Sequence, residues 1–136
     1  MPNRMWRVAV GVFLVGLVFD FLLYGVLLES ALRTDRIVRI PWDGAWPKIP
    51  AGELIFSIAF AWIYVRGIEA LPALGQGLRF GLALAFLFAV AGGLQIAPMI
   101  PTTETIIIGS IAGNAVKVLV QGLVAGVLAG SGSGRT

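Results

Sequence analysis

"GNAVKVLVQG", residues 113–122, puts a lysine in the middle of a run that otherwise reads as membrane: apart from Lys117, no charged residue occurs between Thr105 and Gly134. A bilayer core demands about 20 predominantly apolar residues in a helix, and this run supplies more than that. Wound as a helix, Ser110, Asn114, Lys117 and Gln121 follow one another at spacings of 4, 3 and 4 and form a single polar stripe. That stripe cannot look at lipid, because a charged group at bilayer depth costs at least about 2.5 kcal/mol unless it finds water or a partner. The segment must therefore pack against other spans.

The rest of the chain supplies them. Of 136 residues 58% are hydrophobic and only 12% charged, too little polar surface to cover a water-soluble globule of this size. The expected fold is all-α, an integral membrane antiparallel four-helix bundle with spans at about 8–29, 51–71, 74–97 and 103–130. Residues 1–130 form a single four-helix transmembrane domain, and residues 131–136, "SGSGRT", are a flexible tail.

The first run, Val8 to Leu28, has the basic flank of a signal peptide, but it is 21 residues long and no small-residue cleavage site closes it, so it reads as a span. The segment that follows mixes Arg33, Arg36, Arg39 and Lys48 with Trp42, Trp46 and prolines, a composition suited to the headgroup layer, with room for a short amphipathic helix. Trp6, Trp42 and Trp46 read as interfacial anchors and Trp62 as a packing or lipid-facing residue. Pro50 starts the second span and Pro72 stops it, with Glu53 favourably placed against the positive end of the helix dipole. Thr102 or Thr103 can cap the fourth helix, with Glu104 in its first turn.

The small residues are positioned: Gly77, Gly81, Ala85, Ala89 and Gly93 recur every fourth residue on the third span, and Gly122, Gly126 and Gly130 on the fourth. In lipid, such stripes let helix backbones approach closely, which matters because apolar burial no longer distinguishes a neighbouring helix from solvent. Orientation is less marked. Arg4, Arg7, Arg66, Arg79 and Arg135 fall on the side of the termini, and Arg33, Arg36, Arg39 and Lys48 on the other. Cytoplasmic termini in a bacterial inner (cytoplasmic) membrane are the default, since the first helix usually dominates, and dual insertion as an antiparallel dimer is the alternative.

The candidate partner for Lys117 is Asp20. Asp20 lies nine residues before Glu29, about 13 Å below the first loop at the rise of an α-helix, and Lys117 lies thirteen residues past Glu104, about 20 Å below the same face. Helical side chains lean toward their own N-terminus and a lysine stem spans about 6 Å, so the two depths match. One reading is an ion pair that fixes helix register, supported by the amides of Asn114 and Gln121. The other is a buried polar or transport site at Asp20, Lys117, Asn114, Gln121 and Ser110. Glu53, Ser57 and Ala61 share a face of the second span and Gln95 sits near the loop end of the third, so a small polar cavity opening toward the first loop is geometrically possible.

The absence of Cys and His from the composition excludes structural zinc, thiol redox chemistry and imidazole-ligated haem, and the expectation is no metal and no cofactor. No catalytic triad, phosphate-cradling loop, dinucleotide fingerprint or paired-carboxylate motif is present, which argues against an enzyme. The net charge of +3 is spread along the chain rather than gathered in a patch, which argues against nucleic acid as a partner.

The chain resembles small four-span bacterial membrane proteins of uncharacterised families, in the acid followed by an aromatic and a glycine of "FDFLLYGVLLES" (19–30), in "GELIFSIAFAWIYVRG" (52–67) and in "GLRFGLALAFLFAVAGG" (77–93). The resemblance covers roughly residues 8–130 and implies a four-helix fold with no assigned activity. Small multidrug exporters are similar in span number and size, but their pattern has an essential glutamate in the first span where this chain has Asp20.

Two functions follow as expectations. The first is a non-catalytic accessory or stabilising subunit of a larger membrane complex, in contact with lipids and with other transmembrane subunits or a second copy of itself. The second is a small dimeric transporter or hydrophobic-ligand carrier using the intramembrane Asp20/Lys117 site.

Overall fold

The computed structural model describes residues 2–35, 47–69 and 72–130. Four helices in it are long and apolar enough to cross a membrane: Asn3–Leu27, Lys48–Arg66, Ala73–Met99 and Glu104–Ala129, taken below as the first to fourth spans. No strand occurs among the described residues. Helices are the expected response of such a sequence to lipid, where every backbone N–H and C=O must be satisfied within the segment. The side-chain distribution agrees. Phe21, Leu27, Ile55 and Phe86 are exposed on the outside, whereas Asp20, Glu53, Lys117 and Gln121 are buried inside. Length, composition and this inside-out distribution together make the chain a membrane protein.

The first span packs on the second and the fourth, and the third packs on the fourth. The closest approach is between the third and fourth. A Cβ built on Gly122 would lie 2.5 Å from the carbonyl oxygen of Gly77 and 2.6 Å from Cα of Gly81, and one on Gly81 would lie 3.0 Å from the carbonyl oxygen of Leu119. Cβ atoms built on Gly77 and Gly126 would run into the carbonyl oxygens of Gly122 and Ala73. The small-residue stripe is therefore a backbone-to-backbone contact. The third span keeps it on one face by an irregularity that the spacing alone does not reveal. A spacing of four drifts around an α-helix of 3.6 residues per turn, and the π-helical stretch Ala85–Ala91 has wider turns that reverse the drift, so Ala85 and Ala89 remain buried. Gly93, at the end of the stripe, is only half-buried and sits against the side chain of Ile111 rather than against backbone.

The second and third spans meet through rings. Phe80 stands edge-on to Phe60 at 5.0 Å between centroids and to Tyr64 at 5.1 Å, and Phe56 meets Phe88 at 6.1 Å. Such pairs are worth about 0.5–1.5 kcal/mol each beyond the area they bury. The bundle is thus divided by depth. The half near the termini holds an apolar core of Val8, Val12, Phe60, Tyr64, Val118 and Ala125. The half toward the first loop holds the buried charges, Asp20, Glu53 and Lys117.

Several boundaries differ from the sequence reading. The second span ends at Arg66, not 71: the N–H of Gly67 bonds to the carbonyls of Ile63 and Tyr64, and the buried Gln76 donates to the carbonyl of Gly67 at 3.0 Å, which ties off the helix. Thr103 is the N-cap residue of the fourth helix but its side chain makes no capping bond, and the hydroxyl of Thr102 instead donates to Asp35 at 2.6 Å, pinning the first loop to the hairpin between the third and fourth spans. The interfacial segment begins with a short helix, Glu29–Thr34. Trp42, Trp46, Arg36, Arg39 and the tail 131–136 lie outside the described residues.

Candidate functional site

Lys117 projects from the fourth span toward two carboxylates. Its ammonium donates to Asp20 of the first span at 2.8 Å and to Glu53 of the second at 3.1 Å. All three residues are at most 9% exposed. Gln121, one turn further along the fourth span and fully buried, donates from Nε2 to the other oxygen of Glu53 at 2.5 Å and to the backbone carbonyl of Val12 at 3.0 Å. Both partners of Nε2 are acceptors, which fixes the amide orientation and leaves Oε1 of Gln121 buried with no hydrogen-bond partner. Ser57, one turn further along the second span and fully buried, donates to the backbone carbonyl of Glu53 at 2.7 Å.

The sequence builds this locally. Lys117 and Gln121 are four residues apart and share a face, and Asn114 precedes them on the same stripe. Asn114 donates to the hydroxyl of Tyr24 at 3.0 Å and to the carbonyl of Ser110 at 2.8 Å. Tyr24 reaches it from a π-helical stretch, Leu23–Leu27, that directly follows the α-helical part of the first span carrying Asp20. Gly16 completes the enclosure. A Cβ there would collide with the carboxylate of Glu53 and come within 2.7 Å of Nε2 of Gln121, so only glycine leaves Glu53 room to reach the lysine.

The charges do not cancel. With every group ionised, the two carboxylates and one ammonium of the cluster sum to −1. Beside the cluster lies a cavity of about 680 Å³ bordered by all four spans. Lys117 and Glu53 mark one end of it, Tyr24, Ser110 and Asn114 supply further polar groups, and Leu32, Ile100 and Thr102 line it toward the first loop. The rest of the wall is apolar and includes Phe56, Phe88 and Ile106.

No family model matches the chain, and no curated protein or solved structure matches it either.

The structure thus brings Asp20, Lys117 and Gln121 into one cluster and sets Asn114 and Ser110 next to it on the cavity wall. It also brings in Glu53, which the sequence reading assigned to the helix dipole. The signal was present in the shared face of Glu53 and Ser57, but the register of the second span against the fourth was needed to interpret it. Gly16 and Tyr24 carried no signal of their own. Gln95 is exposed and takes no part, Trp6 is half exposed near the N-terminus, and Trp62 lies outside the bundle with the guanidinium of Arg66 stacked 4.1 Å from its ring centroid. No group of three or more metal-ligating side chains occurs among the described residues.

Proposed function

We propose that this chain is a non-catalytic membrane transporter or carrier for a lipophilic ligand, with the ligand's apolar part in the cavity and its polar end at Glu53 and Lys117. The observation that carries this reading is the juxtaposition of a mostly apolar cavity of about 680 Å³, within the range of small-molecule sites, with a charged cluster at one end of it. A purely structural ion pair needs no cavity beside it, and an apolar packing defect needs no charge. Cytoplasmic termini in a bacterial inner membrane, supported by Arg4 and Arg7 in the first turns of the first span, would turn the cavity's Leu32 and Thr102 end away from the cytoplasm.

The test is retention of a ligand. Protein extracted gently from its native membrane and examined by native mass spectrometry should carry a small lipophile. That lipophile should be lost in Gly92→Leu, which adds bulk to the cavity wall where a Cβ meets nothing nearer than the carbonyl of Leu87 at 3.7 Å. Stoichiometric co-migration with a larger complex, and no retained lipophile, would instead make the chain an accessory subunit with the cluster as an internal strut.

A further inference from the structure

The net charge of the cluster narrows the ligand. Two carboxylates share one ammonium inside the bundle, so the fully ionised cluster holds one uncompensated negative charge at bilayer depth. Such a charge is retained only with a counter-charge or a proton. Hydrogen-bonding capacity points the same way. The carboxylate oxygens of Asp20 and Glu53 and the orphaned Oε1 of Gln121 are all acceptors, and the donors facing them are the ammonium of Lys117 and the single amide of Gln121, one of whose hydrogens goes to Val12. The cluster is short of donors and of positive charge. An anionic head group would worsen both deficits, whereas a proton or an ammonium group answers both.

Resting on the carrier reading above, we propose that the ligand is a lipophilic amine in its ammonium form, and that it exchanges one for one with a proton held by the carboxylates of Asp20 and Glu53. In the ligand-free protein the proton is bonded to one carboxylate oxygen. As the ammonium enters from the cavity, that O–H bond breaks, its electron pair stays on the oxygen, and the proton passes to water. The cluster is neutral before and after. The titratable groups that face Glu53 are few among the described residues. Lys117 comes from the fourth span, Asp20 and, across the cavity, Tyr24 from the first, and the wall of the third span presents only apolar side chains such as Phe88, Ala89 and Ile96. The exchange is therefore a property of the two carboxylates and the lysine.

The experiment uses the full chain in lipid nanodiscs in weakly buffered solution near neutral pH, titrated with dodecylammonium chloride, with dodecanol and dodecanoate as the neutral and anionic probes of the same tail. Saturable binding of dodecylammonium by calorimetry should coincide with release of about one proton per protein, read with a pH indicator, and dodecanoate should bind at least tenfold more weakly. Glu53→Gln, which leaves a neutral Asp20/Lys117 pair, should abolish proton release. Asp20→Asn does the same from the other side of the lysine and stands in if Glu53→Gln fails to fold. Dodecylammonium binding with no proton release, or tighter binding of dodecanoate, would overturn the exchange while leaving the carrier reading in place. Failure of all three probes to bind would overturn both.

Discussion

Gly16 and Lys117 are the two positions where a single atom or charge decides the cluster. Gly16→Ala should push the carboxylate of Glu53 away from Lys117 and Gln121, because the obstructing group is the far end of a flexible side chain and can swing aside. The fold should survive at a cost of about 1–3 kcal/mol, the range for adding a methyl to a packed site, while ligand-linked proton release is lost. Unfolding in mixed micelles together with the proton-release assay checks both halves, and an unchanged proton yield would mean that Glu53 does not need its present position. Lys117→Leu removes the shared counter-charge and should cost about 3–5 kcal/mol, the usual penalty for orphaning a buried ionic group. Adding Asp20→Leu and Glu53→Leu to that variant should recover most of the loss, because all buried charge is then gone. Lys117 was legible in the sequence because a lone cation in an apolar run is conspicuous, and Asp20 because depth can be counted along two helices. Glu53 was misassigned because an acid in the first turns of a helix has an ordinary explanation in the dipole, and only the packing shows it turned inward.

At the scale of elements, the third and fourth spans are joined by close backbone approach and the second and third by rings, and the two contacts should respond differently to mutation. Gly122→Ala places a methyl against the backbone at Gly77 and Gly81, where nothing flexible can yield, so the two helices must separate at a cost of about 1–3 kcal/mol. Gly75→Ala is the control. It lies on the same third span with nothing within 4 Å of its Cβ, and it should be neutral or slightly stabilising, since alanine is the better helix former. A matching loss in both variants would mean that the stripe acts through helix propensity rather than contact. The stripe itself was readable from spacing. The π-helical stretch Ala85–Ala91 that keeps it on one face was not, because no residue type in "AFLFAVA" marks a widened turn.

The whole molecule is a bundle whose apolar core lies near the termini and whose charge and cavity lie toward the first loop. The proposed orientation makes the sides distinguishable. The chain has no cysteine, so Ser30→Cys, in the short helix Glu29–Thr34, and Glu69→Cys, just past the second span, each create a single label site at an exposed position on opposite faces. In intact cells a membrane-impermeant thiol reagent should modify the cysteine at 30 and spare the one at 69. The reverse pattern would place the termini outside, and equal labelling of both would indicate dual insertion. The sequence by itself determined that this chain is helical, that it has four spans and that its polar stripe faces inward, because lipid enforces internal hydrogen bonding and penalises exposed charge on each helix separately. Only the tertiary structure decided which charges meet. The partnership of Lys117 with two carboxylates, the orphaned oxygen of Gln121 and the cavity beside them depend on the rotation and relative depth of helices far apart in sequence. Those quantities are set by glycine contacts and ring packing between spans, which no single helix encodes.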